Sequence, residues 1–241
     1  MLGVNALVFD FIGTLTELDN YPYEGSKEKL YQSLVENGYN SSSTDFFQEY
    51  ERAYQKYREI RYGKLVEISN RVWISEALNR LGYMTTPQDE KIQFAVKAFF
   101  VDYLKALKLR RSARSTLEKL HQKYKVGLVS NFTHAPVVYA GLRKLGINHL
   151  FDVVLVSEAF GWRKPSVKIF QEALRKLTAE AEETIFVGDT PIEDIQGAKK
   201  VGMRTIFIPS QFKSLEDLKE AEQEPDHIIE DLSAILTVLK S

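Results

Sequence analysis

The sequence predicts an α/β protein: a parallel sheet covered by helices on both faces, interrupted after its first strand by an all-helical insertion. Three observations carry that reading. Short apolar runs recur at 6–10, 126–129, 152–156, 184–187 and 205–208. Helical periodicities at 115–124, 137–145, 166–177 and 192–201 separate the later runs. From Thr16 to about Phe100 strand-like runs vanish and only helical spacing remains.

Taken in order, the 6–10 run (ALVFD) is short, continuous and apolar, with Gly13 behind it as a break. Continuous rather than alternating apolar residues mark a strand buried on both faces, as in a parallel sheet. In the insertion, Phe46, Phe47, Tyr50, Tyr54 and Tyr57 recur at helical spacing, as do Val72, Ile74, Ala77, Leu78 and Leu81. The segment 40–45 (NSSSTD) is expected to turn, with Asp45 and Gln48 capping the next helix. The aromatic stripe reads as a packing face before it reads as a binding face. Arg61, Arg71 and Trp73 are candidates for an inner, substrate-facing surface of the insertion. The basic stretch 105–114 reads as a solvated helix face or the approach to one. From 226 to 240 a short strand and a helix are expected. Strands alternating with helices imply parallel pairing, with functional residues at the carboxyl ends of the strands. The expected domains are a core of 1–16 and 101–241 and a helical cap of 17–100.

Composition narrows the function. Of 241 residues 44% are hydrophobic, enough for a sizeable core, and the formal net charge is -1. Near-neutrality argues against a surface built for nucleic acid or an anionic membrane. Cysteine is absent, which excludes disulfides, a thiolate nucleophile and thiolate metal sites. Its absence fits a reducing compartment, and a cytoplasmic location is expected. The apolar run before Asp10 is too short for a signal peptide, and none approaches the ~20 residues of a membrane-spanning helix. No feature fixes an oligomeric state.

Four strand ends carry candidate chemistry. Asp10 closes the first, and Gly13 just beyond has no side chain to keep an anion from the backbone; Asp10 either faces an open crevice or caps a turn. Ser130 and Asn131 close the second, offering a hydroxyl and backbone N–H groups to phosphate oxygens, or ordinary turn chemistry. Lys164, before Pro165, either offsets negative charge at a site or is a surface lysine. Gly188-Asp189 closes another strand with Asp194 one turn on; two carboxylates there suit a hard divalent cation, or a helix cap and first-turn acid. Each signal is modest alone. Asp, Ser, Lys and Asp following one another on one edge of one sheet is not.

With these motifs the chain resembles the haloacid dehalogenase-like hydrolase superfamily, in the subfamily whose helical C1 cap follows the first strand. Asp10-Phe-Ile-Gly-Thr-Leu resembles its first motif, Ser130 its second, Lys164 its third and Gly188-Asp189 with Asp194 its fourth. The resemblance implies a Rossmann-like three-layer core and a mobile cap. It implies Asp10 as the nucleophile on phosphorus, with Ser130 and Lys164 also catalytic. It implies phosphate held by Ser130, Lys164 and backbone amides near Gly13 and Asn131. Mg2+ would be held by Asp10, the backbone carbonyl of Ile12, Asp189 and, through water, Asp194. The expected activity is a magnesium-dependent phosphatase acting on a small phosphorylated metabolite.

Ile12 departs from the pattern. The family's phosphatases carry a second aspartate there, which protonates the leaving group and later activates water. Loss of such a group costs about 100- to 10,000-fold in rate, so low activity on simple alkyl phosphates is expected. Thr16 and Glu17 are the nearby substitutes. Two alternatives follow. One is a 2-haloacid dehalogenase, a relative that lacks the second aspartate and needs no magnesium, but has tyrosine at position 12 and Ser-x-Asn-x-x-Asp as its fourth motif. The other is a catalytically weak regulatory protein that binds phosphate and metal.

Overall fold

The computed structural model describes residues 3–240. They form two compact units, one of residues up to Glu17 with Lys108 onward, the other of Leu18–Leu107. The chain begins in the first unit with strand β1 (Ala6–Phe9), whose four residues are all buried, and leaves it through β2 (Thr16–Leu18).

The second unit is helical: α1 (Tyr23–Glu36), α2 (Ser43–Lys64), α3 (Asn70–Arg80) and α4 (Glu90–Ala106). Leu30 and Leu34 of α1 are buried, as are Ile92, Ala95, Val96 and Phe100 of α4, against which α1 packs. The aromatic stripe packs. Phe46 and Tyr50 are buried, and Tyr54 meets Trp73 edge-on at 5.7 Å. Three expectations need correction. Ser42, not Asp45, caps α2: its backbone is extended and its side chain accepts the Asp45 N–H, leaving Asp45 in the first turn where the helix dipole favours an acid. Arg61 and Trp73 are interior residues of this unit, because Arg61 Nε pairs at 2.5 Å with Glu67, whose side chain is wholly buried, and its guanidinium lies over the Trp73 ring. Finally, α4 runs through residue 100 to Ala106, since Phe100 and Tyr103 continue its buried stripe.

The chain returns through β3 (Leu107–Leu109), which pairs with β2 in a two-stranded sheet; three residues apiece gave no strand-like run. The 105–114 stretch is therefore not one helix face, and α5 (Ala113–His121) starts only at its end. The main sheet follows with β4 (Lys125–Ser130), β5 (Val153–Val156), β6 (Thr184–Gly188), β7 (Arg204–Phe207) and β8 (His227–Ile228). Its order is β5-β4-β1-β6-β7-β8, and every pair is parallel. Helices α6 (Ala135–Lys144), α7 (Ser157–Phe160), α8 (Val167–Leu177), α9 (Gly197–Lys199) and α10 (Ile235–Val238) complete a three-layer, Rossmann-like unit. Ala6, Val8, Val129 and Phe186 bury one sheet face against Ile169, Phe170, Ala173 and Leu177 of α8. Leu7 and Phe9 alternate to the other face, and Leu117 and Leu120 of α5 are buried too.

The helix expected at 192–201 is a π-helical turn, Pro191–Gln196, running into α9. Ile195 N–H reaches back to the Thr190 carbonyl at 3.4 Å, a wider turn than an α-helix makes. Among the described residues no helix is long and apolar enough to cross a membrane.

Candidate active site

Register brings the strand ends together. Phe9 stands level with Leu128 of β4 and Val187 of β6, so Asp10 emerges between them, its N–H bonded to the Val187 carbonyl at 2.9 Å. Behind it the chain folds tightly. Leu15 N–H, Thr16 N–H and the Thr16 hydroxyl all donate to the Phe11 carbonyl. Gly13 turns with φ +94, and a Cβ there would lie 2.1 Å from Asp189 Oδ2. Glycine is thus required both for the turn and for the approach of Asp189. Ile12 is half-buried and offers no ionisable group. Of the two substitutes, Thr16 spends its hydroxyl on Phe11, and Glu17 is exposed.

Asp189 follows β6 directly, and the π-helical turn folds Asp194 back beneath it. Asp194 Oδ2 accepts the N–H groups of Asp189 at 3.1 Å and Thr190 at 2.9 Å. This needs Gly188, where a Cβ would sit 2.4 Å from the Asp194 side chain. Asp10, Asp189 and Asp194 each place one carboxylate oxygen within 4.8 Å of the other two.

Lys164 is 1% exposed and so is not a surface lysine. Its Nζ lies 2.7 Å from Asp10 Oδ1 and 2.6 Å from Asp194 Oδ1, and donates to the Val129 carbonyl at 3.0 Å. Asn131 fixes it from behind: Asn131 Oδ1 accepts the Lys164 N–H, and Nδ2 donates to the Lys164 carbonyl and to Glu193. The Asn131 side chain therefore holds Lys164, leaving only its backbone for a phosphate. Glu193 is itself paired with Arg163 at 2.8 Å. Ser130 ends β4, buried, beside this group.

Three buried carboxylates face one ammonium. Burial raises the Asp10 carboxyl to about 6, against the pull of Lys164, and Asp189 adds to the rise. Burial and then Asp194 raise Asp189 to about 6; burial raises Asp194 to about 7, again against Lys164. Burial disfavours the Lys164 charge, yet Asp10 and Asp194 outweigh it and hold the ammonium above its ordinary range. The excess of hard oxygen donors over positive charge fits magnesium.

The sequence pattern did not single out Arg110, Ser210 or Glu193. Arg110 Nη1 donates to the Gly13 carbonyl at 2.6 Å, although the residue lies in the stretch read as solvated. Ser210, in the loop after β7, donates to Asp189 Oδ2 at 2.5 Å. A lone serine in a loop and one arginine among several basic residues carry no signal of their own.

Comparison with known proteins bears on the same stretch. Residues 7–208 match the family model of the haloacid dehalogenase-like hydrolases. The chain is 27% identical over 239 residues to the ribulose-1,5-bisphosphate 5-phosphatase of Halopiger xanaduensis, spanning 95% of this chain and 97% of that protein. It is 28% identical over 241 residues to a glyceraldehyde 3-phosphate phosphatase of Methanopyrus kandleri, spanning 98% and 97%. Among solved structures, the 2-haloacid dehalogenase of Pseudomonas syringae pv. Tomato DC3000 superposes with a TM-score of 0.72 at 27% identity, covering 98% of each chain.

Proposed function

We propose that this chain, which belongs to the haloacid dehalogenase-like hydrolase family, is a magnesium-dependent phosphatase of small phosphorylated metabolites, with Asp10 as nucleophile. The observation that carries the reading is the trio Asp10, Asp189 and Asp194, buried around one another with the Lys164 ammonium paired to two of them. The phosphatase names of the two full-length relatives support it.

Magnesium would be held by Asp10, the Ile12 carbonyl and Asp189, with Asp194 behind, and would supply positive charge to the transferring phosphoryl oxygens. The residues do the rest. A carboxylate oxygen of Asp10 attacks phosphorus, the bond to the leaving oxygen breaks, and the phosphoryl group rests on Asp10 as an acyl phosphate. Lys164 keeps Asp10 ionised and offsets the charge gathered there. The Ser130 hydroxyl and the backbone near Gly13 and Asn131 receive phosphoryl oxygens. Water then attacks phosphorus, the Asp10–phosphorus bond breaks, and inorganic phosphate leaves.

The test is hydrolysis of p-nitrophenyl phosphate with magnesium or with EDTA. Turnover that survives EDTA contradicts the proposal. A 2-haloacid dehalogenase is the second reading, favoured by the solved dehalogenase and by a residue without a proton at Ile12. The carboxylate of Asp189, where that chemistry has Ser-x-Asn, weighs against it; halide release from a short haloacid in EDTA would reverse the order.

Ile12 yields a prediction. Ile12→Asp should raise kcat on an alkyl phosphate by about 100-fold or more, and less on p-nitrophenyl phosphate, whose leaving group needs little acid help. No rise in a variant that binds magnesium would mean that another group already delivers the proton, and an equal rise on both would place the gain in the water attack that the two substrates share.

The raised carboxyls predict a pH dependence. Between the ordinary carboxylate range and about pH 6 to 7 the folded, metal-free protein binds more protons at this trio than the unfolded chain. The trio's contribution to metal-free stability therefore falls as pH rises through that window. Protons compete with the cation, so magnesium should bind at least about tenfold more weakly at pH 5 than at pH 8. Calorimetric titration of magnesium at both values checks it; equal affinities would show that the trio is not the binding site.

A further inference from the structure

We propose that Ser210 is a positioning residue for Asp189, and that its hydroxyl sets how tightly the site holds magnesium. This rests on the reading of Asp189 as a magnesium ligand. A serine hydroxyl has one proton to give and two lone pairs to receive with. In Ser210 all three are committed. Its Oγ accepts the N–H groups of Phe212 at 3.0 Å and Lys213 at 3.2 Å, which leaves the single proton directed at Asp189 Oδ2, 2.5 Å away. The loop is closed by the Ser210 N–H, which donates to the Lys213 carbonyl at 2.8 Å. The donor is thus aimed by its own backbone.

Gly13 also approaches Asp189 Oδ2 closely, since a Cβ there would stand 2.1 Å from it. Gly13 is itself held, its carbonyl accepting from Arg110 Nη1 and its N–H donating to the Thr16 carbonyl. One oxygen of the carboxylate is therefore bonded to a fixed hydroxyl and packed closely by a fixed turn. Its other oxygen receives a long contact, 3.4 Å, from the Thr190 hydroxyl. A ligand oriented before the ion arrives need not be ordered at the moment of binding, and groups of this kind commonly change metal affinity about 10- to 100-fold.

The test titrates magnesium chloride calorimetrically into the full chain without substrate, comparing wild type, Ser210→Ala, Ser210→Thr and Asp189→Asn. Ser210→Ala should weaken binding at least about tenfold. Ser210→Thr, which keeps the hydroxyl, should restore it to within about threefold, and kcat of the alanine variant should recover at saturating magnesium. Alanine binding within twofold of wild type, while Asp189→Asn loses binding, would overturn the proposal. So would equal losses in alanine and threonine, which would assign the effect to the loop. Identical titrations of wild type and Asp189→Asn would remove the magnesium reading of Asp189, and the role of Ser210 with it.

Discussion

Asp10→Asn should lower phosphate release by at least about 1,000-fold while leaving the metal-free protein no less stable than wild type. The loss of rate follows from the chemistry: an amide oxygen does not form the acyl phosphate of the proposed reaction. The stability follows from charge. Asp10, Asp189 and Asp194 share a buried space with one ammonium, and burial already pushes all three carboxyls upward. Removing one negative charge relieves that crowding, while Lys164 keeps its 2.6 Å pair with Asp194 and its bond to Val129. Asparagine can still accept a hydrogen bond from Lys164. Activity and stability are opposed at such a site. Urea unfolding in EDTA measures the second half. A variant that is less stable than wild type by more than about 1 kcal/mol would show that Asp10 is a structural partner of Lys164 rather than a strained, functional one.

Lys164→Met should do the opposite in stability and the same in rate. Among the described residues Lys164 is the ammonium paired with both Asp10 and Asp194, and it is as buried as the core. Breaking a buried ion pair from one side costs about 3–5 kcal/mol, because the remaining charge stays desolvated and unpaired. Here two carboxylates lose their partner together. They can escape the cost by taking up protons, so the variant's folded state will bind more protons than wild type. Its deficit should then be small at pH 5 and grow as pH rises to 8. Magnesium should recover part of it by supplying the missing positive charge. Denaturation at both pH values, with and without magnesium, reads all of this. A deficit that is the same at pH 5 and pH 8 would mean that Lys164 acts through packing of its stem and not through the carboxylates.

Much of the fold was legible because it rests on local pattern. The buried run of β1, the later apolar runs and the helical spacing between them lead directly to the parallel sheet, and the sheet's register then brings Asp10, Asp189 and Lys164 together. What escaped the sequence rests on tertiary contact. Lys164 was legible through its motif, but its burial was not: only its two carboxylate partners, from distant segments, make that burial tolerable. Three-residue strands such as β2 and β3 leave no periodicity to read. The widened turn at Pro191–Gln196 follows from Asp194 folding back onto two N–H groups, which spacing alone does not encode. Arg110 and Ser210 gain their meaning from the backbone and carboxylate they touch, residues far away in the chain.

In the proposed function Asp10 and Asp189 bind one hard cation together, with Lys164 alongside. Crystals of the active protein grown with manganese, a hard cation that takes the same oxygen donors and scatters anomalously, test it most directly. One anomalous peak is expected, about 2.1 to 2.3 Å from oxygens of both Asp10 and Asp189. A fully occupied ion elsewhere in the molecule, with both carboxylates left unligated in crystals that hydrolyse phosphate, would contradict it.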